Sequence, residues 1–291
     1  YGKDEGRKTD ENFNIFNYEN SFIIGQEKSE IDTPIGVFIH LYYHEFALEI
    51  FELLHIINMP IEVYVSTDDE KKRSFIVDKF LESGLSAKFE CKVMPNRGWD
   101  LGPFLVGFAN EIPKYDICLR LHGKKSSHND NNFGKTWREY LFREMLRGAK
   151  EVDIIINNFI LQPNTGIIMP KHWNPIKEWI SIGRNYEKMK SLLSKIHIDI
   201  VPEQPINYPS GSMFWFKSSA LQPLLDLNLR WDDFENSNEE QRDGTLAHAI
   251  ERSILFFAAS ACYNWSYVDY ENIKSLKKPN SIVRLFVNNI N

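Results

Sequence analysis

The sequence predicts an α/β protein, a mostly parallel sheet flanked by helices, and three observations carry that expectation. Between residues 35 and 121, short apolar, often β-branched runs alternate with segments of helical period. Parallel strands joined by crossover helices require this alternation. Each run also ends in a polar segment, which is where ligands bind in such sheets. Finally, 43% of the 291 residues are hydrophobic and 13% aromatic, enough for one large core and too apolar for a disordered chain.

Residues 1–33 are polar, without a clear period, and read as an N-terminal arm. After Pro34, residues 35–41 (IGVFIHL) form a buried-strand pattern, and 45–57 (EFALEIFELLHII) carry apolar residues at helical spacing. A second strand is expected over 61–65 and a helix over 71–83, stopped by Gly84. A third strand follows over 89–94, a helix around 103–110 and a fourth strand over 115–121. Beyond residue 130 the pattern is mixed. Helices are expected over 136–147, 171–193 and 239–258, and strands over 165–169 and 208–216. No Gly/Ser-rich or Pro-rich linker separates the halves, so 34–130 and 131–291 read as a ligand-binding half and an elaboration of one domain.

Charge and cysteine content narrow the function. A net charge of −6 argues against a nucleic-acid surface, so any phosphate ligand must meet a local cluster of cations. Cys91, Cys118 and Cys262 are an odd, widely spaced set that reads as small buried hydrophobes in a reducing compartment. No apolar run approaches the roughly 20 residues of a membrane span, and no leader pattern opens the chain. The expectation is a cytoplasmic domain. Its first residue, Tyr1 and not Met, suggests a piece of a longer polypeptide with other domains.

Four segments can carry chemistry. In His122-Gly123-Lys124-Lys125-Ser126-Ser127-His128, cations and hydroxyls follow a strand around a glycine, which suits a phosphate; the alternative is a solvated loop. In Asn96-Arg97-Gly98-Trp99-Asp100, Gly98 permits a tight turn and Asp100 can cap the next helix, leaving Asn96 and Arg97 to face a ligand. On a helix, the stretch 238–252 brings Asp243, His248 or Ala247, and Glu251 near one face, although acidic residues in a first turn, such as Glu240, also simply complement the dipole. Glu251 and Arg252 read there as a buried structural pair. In 208–216, Ser212 and the aromatic Phe214 and Trp215 offer a floor for a sugar, or core. G-x-G-x-x-G, P-loop, zincin and G-x-S-x-G patterns are absent.

These pieces resemble the rhamnan synthesis F family of bacterial polysaccharide glycosyltransferases. The matching stretches are NRGWDLGPF (96–104), LRLHGKKS (119–126), the W-x-x-Y-L helix from Trp137, GSMFWF (211–216) and DGTLAHAIER (243–252). The resemblance implies a GT-A-like, Rossmann-type fold with a C-terminal acceptor side. It implies transfer of a sugar, with dTDP-rhamnose as favoured donor, to a growing glycan or polyprenyl-linked glycan at the inner membrane face, where the protein would make peripheral contact. In that fold an Asp-x-Asp holding a metal follows the fourth strand, whereas this chain has His122-Gly123-Lys124. Lys124, Lys125 and His122 would then neutralise the diphosphate, with Ser126 beside them and no divalent metal or other cofactor. By the same resemblance His40, Tyr42, Thr67 and Asp68 hold the nucleoside, and Asn96, Arg97, Gly98 and Asp100 orient the donor. Asp243 is the expected base, Glu240 the alternative, and His248 a hydrogen-bonding partner; Ser212, Phe214 and Trp215 face the acceptor. A non-catalytic glycan-binding scaffold is the competing reading.

Overall fold

The computed structural model describes residues 33–123, 131–237 and 243–268. The N-terminal arm, Lys124, Lys125, Ser126 and Glu240 lie outside these residues. Strand β1 (Ile35–His40), helix α1 (Ala47–Leu54), β2 (Ile61–Thr67), α2 (Glu70–Ser83), β3 (Lys88–Val93) and β4 (Ile117–His122) follow the anticipated order. Next come α3 (Asn131–Met145), α4 (Ala149–Leu161), β5 (Thr165–Met169), α5 (Tyr186–Ser194), β6 (Phe214–Lys217), the one-turn α6 (Gln222–Leu225), α7 (Leu246–Ser260) and β7 (Asn264–Tyr267).

The strands form one sheet in the order β3-β2-β1-β4-β6-β5-β7. The chain moves outward from β1 through β2 to β3, then returns to lay β4 on the other side of β1. Those four strands are parallel. Strand β6 is antiparallel to both β4 and β5, and β7 runs parallel to β5. Since β4 and β6 are neighbours, the two halves of the sequence share one sheet and form a single α/β domain.

Alternation along the strands sends side chains into two cores. Ile35, Val37, Ile39, Leu119 and Leu121 pack beneath α1, α3 and α4, while Phe38, Cys118, Phe214 and Phe216 pack beneath α5 and α7. Helix α1 buries Ala47, Ile50, Phe51 and Leu54, the i, i+3, i+4, i+7 stripe of an amphipathic helix. Helix α2 is capped by the Asp69 carboxylate, which accepts from the Lys71 and Lys72 amides at 2.8 and 3.2 Å, and it ends at left-handed Gly84 as expected. Each fully buried Leu, Ile or Phe in these stripes contributes about 1.5–3 kcal/mol. Among the described residues no helix is long and apolar enough to cross a membrane.

The differences from the expected elements have local causes. The helix expected over 171–193 is α-helical only from Tyr186, because Pro175 and left-handed Gly183 break the earlier part into 3-10 turns. The one expected over 239–258 begins only at Leu246, since Gly244 has φ 82° and the Thr245 hydroxyl caps the first turn. Residues 208–213 are not strand: Gly211 and Ser212 both have positive φ (86° and 54°) and turn the chain just before β6. The segment after Gly102 is a π-helical turn, Pro103–Gly107. Of the cysteines only Cys118 is buried; Cys262 is exposed, which corrects the view of all three as core.

Candidate active site

Strand order reverses between β1 and β4, and in open α/β sheets the crevice at such a switch point, beyond the carboxyl ends of the strands, is the ligand site. Here it is formed by His40 and His122, which are register partners. Two residues back, Phe38 pairs with Arg120. The period of two therefore puts His40, Arg120 and His122 on one face, the face covered by α7.

Arg120 is only 2% exposed. It donates to the Asp100 carboxylate and to the Ser212 carbonyl, and its guanidinium lies 4.8 Å from the Phe104 ring centre and 5.9 Å from that of Phe214. The His122 Nε2–H donates to the Gly211 carbonyl at 2.7 Å and sits 4.0 Å from Asp100. Burial pushes the Asp100 carboxyl up, but the His122 and Arg120 charges and the Arg120 hydrogen bond outweigh it and hold the group well below the usual carboxylate range. Asp100 is therefore the counterion of a buried arginine rather than a helix cap, because Arg120 approaches it from the strand beneath.

His40 reaches the same cavity, lined also by Ser66, Asp100 and Arg120. The Ser66 hydroxyl donates to the Ile39 carbonyl, so His40 Nδ1–H donates to Ser66 at 3.0 Å and Nε2 keeps its lone pair. Burial pushes the imidazole down to about 4, with the nearby Asp100 opposing and Arg120 assisting, so it is neutral near pH 7.

Next along the rim, Lys72 on the first turn of α2 pairs with Asp68 at 2.6 Å and lies 4.0 Å over the Tyr42 ring. These half-buried groups leave an aromatic edge and a carboxylate beside His40. Thr67 does not join them; it is buried and its hydroxyl donates to the Leu41 carbonyl at 2.9 Å.

The segment 96–99 is turned by left-handed Gly98 (φ 71°) and Trp99 (φ 56°). Its hydrogen bonds run to 232–237 instead of outward. The Gly98 N–H donates to the Glu235 carbonyl at 3.1 Å, the Trp99 N–H to Ser237 at 2.8 Å, and the Asn96 carbonyl accepts from the Ser237 amide at 3.1 Å. Arg97 donates twice to the Phe234 carbonyl, at 2.9 and 2.6 Å, and pairs with Asp232 at 2.8 Å. Arg97 and Gly98 are thus a clamp on that loop, which corrects their reading as donor-orienting groups. The Asn96 side chain is on the exposed rim.

A second cluster stands at the start of α7. Asp243 accepts from the Arg184 amide at 3.0 Å and from Asn185 Nδ2 at 2.6 Å, and it pairs with Arg252 at 3.3 Å. Burial pushes its carboxyl up, yet those bonds and the Arg252 charge outweigh burial and lower it, which suits a structural anion better than a base. The Thr245 hydroxyl and His248 Nδ1 are hydrogen-bonded at 2.6 Å, and burial lowers the affinity of the imidazole for a second proton. The His248 ring is 6.1 Å from that of Trp99, joining this cluster to the first.

The turn Gly211–Ser212 ties the two clusters together. Its carbonyls accept from His122 and Arg120, while the Gly211 N–H and the Ser212 hydroxyl both donate to Glu251 Oε1 at 3.0 Å. Ser212 is 4% exposed and acts as this tie, not as an acceptor contact. Phe214 and Trp215 are fully buried, because β6 is an interior strand covered on both faces; they are core and face no acceptor. Glu251 and Arg252, expected to pair, are 3.8 Å apart, and Arg252 lies closer to Asp243.

Sequence reasoning missed two features. One is the bonding of Glu251, which depends on a turn with two successive positive φ angles that no residue pattern announces. The other is an aromatic wall. Phe133 lies 4.8 Å from Trp173 and 5.9 Å from Trp179, and Trp137 stacks on Trp173 at 6.3 Å. Trp179 is 56% exposed, and the Trp137 ring lies against Gly211, 3.4 Å from where a Cβ would stand. The wall thus runs from the turn out to solvent. The three tryptophans between 137 and 179 were the available signal.

Comparison with known proteins agrees with the motif reading. The family model described as rhamnan synthesis protein F matches residues 11–263. Two curated relatives, both named "Uncharacterized protein WxcX" and from two strains of Xanthomonas campestris pv. campestris, are 36% identical over 231 residues. The match covers 78% of this chain and 32% of each relative, so the chain spans about a third of their length.

Proposed function

The chain belongs to the rhamnan synthesis protein F family, and from that premise we propose that it is a glycosyltransferase of polysaccharide synthesis, GT-A-like in its donor half. The observation that carries this reading is the meeting of His40, Asp100, Arg120 and His122 at the switch point of the sheet, where doubly wound folds hold nucleotides.

In this reading Tyr42 and Asp68 take the nucleoside, with Lys72 beside them. Lys124, Lys125 and Ser126 follow His122 closely in the sequence, and in this reading they meet the diphosphate. Two lysine charges there would stabilise the leaving group electrostatically as it gains charge, without a divalent cation. The favoured donor is dTDP-rhamnose, by the family's tie to rhamnan synthesis. The acceptor is a glycan or polyprenyl-linked glycan reached from the cytoplasmic face of the membrane, and its sugars would lie along the Phe133–Trp173–Trp179 wall. Sheer aromatic exposure there also suits a non-catalytic glycan-binding part of a longer protein.

Calorimetry with dTDP and UDP, followed by turnover with a panel of nucleotide sugars with and without EDTA, separates these readings. Nucleotide binding and EDTA-resistant transfer are expected. Glycan binding without nucleotide binding would replace the enzyme reading by the scaffold one, and strict dependence on manganese or magnesium would refute the substitution of cations for metal.

A further inference from the structure

Three carboxylates, Asp100, Asp243 and Glu251, belong to the two clusters that the Gly211–Ser212 turn joins, and their bonding separates them. Asp243 is engaged on both oxygens by an amide N–H, an Asn side chain and a guanidinium. Asp100 faces the buried Arg120 guanidinium, with His122 at 4.0 Å. A carboxylate so held has little affinity left for a proton.

Glu251 is arranged differently. Both of its hydrogen bonds fall on Oε1, from the Gly211 N–H and the Ser212 O–H, each at 3.0 Å. These two bonds fix the plane of the carboxylate. Among the described residues the other oxygen, Oε2, has only the Arg252 guanidinium at 3.8 Å, beyond hydrogen-bonding range, and the side chain is 17% exposed. One oxygen is therefore anchored while the other keeps its lone pairs. His248 lies three residues earlier on the same face of α7, and the same turn leads to the aromatic wall through Trp137.

We propose that Glu251 is the general base of the reaction and that Ser212 positions it. The assignment rests on the transferase reading given above. The acceptor hydroxyl oxygen forms a bond to the anomeric carbon of the donor sugar. The bond from that carbon to the diphosphate oxygen breaks, the nucleoside diphosphate departs with the electron pair, and the hydroxyl proton passes to Glu251 Oε2. The carboxylate is held through Oε1 by the Gly211 N–H and the Ser212 hydroxyl, which leaves Oε2 to take the proton. The strained backbone of Ser212, left-handed without being glycine, is what brings its hydroxyl to Glu251.

The test compares the whole chain with Glu251→Gln, whose amide oxygen can still accept from Gly211 and Ser212. A general base contributes about 10²–10⁴-fold, so kcat is expected to fall at least a hundredfold with the donor KM within about threefold. The acid limb of the kcat–pH profile should vanish, and Glu251→Asp should recover part of the rate. A Glu251→Gln enzyme within threefold of the wild-type kcat overturns the assignment and leaves the transferase reading standing. So does a variant that loses rate and nucleotide affinity together while keeping its pH profile, since that is the mark of a structural role. A wild-type chain that neither binds nucleotide nor transfers sugar overturns both.

Discussion

The strand-end cluster of His40, Asp100, Arg120 and His122 and the helix-start cluster of Asp243, His248, Glu251 and Arg252 hold similar groups in unlike ways. In the first, three of the four side chains stand on adjacent parallel strands, so their mutual placement follows from register, and a 2%-exposed arginine is neutralised by one aspartate. In the second, the groups come from a helix and the turn before it. Their positions depend on left-handed Gly244, a Thr245 cap and bonds to 184 and 185. The contrast is one of construction: a strand-end floor set by register and a helix-start wall set by a cap and a turn, with the Gly211–Ser212 turn as the joint. In the reading proposed above, the floor lies on the donor side and the wall on the acceptor side.

The sharpest way to break this contrast is to neutralise one aspartate in each cluster. Asp100→Asn leaves Arg120 buried without a counterion, and loss of one partner of a buried pair costs about 3–5 kcal/mol. Asp243 shares its load among an amide N–H, an asparagine and a 9%-exposed Arg252 that also donates to the Ser181 and His248 carbonyls. Asp243→Asn should therefore cost less, about 1–3 kcal/mol. Urea unfolding of the two variants at pH 7 checks the order. Equal losses, or the reverse order, would mean that the two clusters do not differ in how they balance their buried charges.

A smaller effect separates them by pH. His40 titrates near 4 in the fold against about 6.5 unfolded. The unfolded chain therefore binds more protons between these values, and stability is full above pH 6.5 and lost as pH falls toward 4. The loss from this one group is on the order of 3 kcal/mol. In His40→Gln the slope of stability against pH between 4 and 6.5 should be visibly shallower than in the wild type. An unchanged slope would place the responsible histidine elsewhere, at His248 of the other cluster or at His172 beside Ser210 and Asn207, both of which burial also lowers.

The difference between the clusters also explains how much could be read before any coordinates. The β1–β4 half is legible because its strands are apolar runs, its helix has an Asp cap and a Gly stop, and polar residues fall at the strand ends where the sheet requires them. On that basis the sequence points to His40, Asp68, Asp100 and His122, and the structure brings His40, Asp100 and His122 together beside Arg120. Arg97 was misread because the partner that claims it, the 232–234 loop, is more than 130 residues away and nothing local marks the contact. Phe214 and Trp215 were misread because an interior strand and a sugar platform share the same aromatic signature; only the sheet order decides between them. In the second half of the chain, positive φ at Gly211, Ser212 and Gly244 cuts elements that hydropathy runs together. Glycine announces two of those three positions, and Ser212 announces nothing.

The smallest expected effect on the fold belongs to the outermost part of the acceptor side. Trp179 is 56% exposed and touches the wall only through Phe133 among the ring contacts of the described residues. Its removal opens no cavity in either core, so Trp179→Ala should leave the unfolding midpoint within about 0.5 kcal/mol of the wild type. If the wall is where an acceptor glycan lies, the same substitution removes a flat apolar surface that only the acceptor uses. The acceptor KM should then rise severalfold, while nucleotide affinity and hydrolysis of the donor in the absence of acceptor stay constant. Kinetics at varied acceptor and fixed donor read this directly. A change in donor affinity of the same size would place Trp179 on the strand-end side of the cleft and remove the distinction between a floor for the diphosphate and a wall for the acceptor.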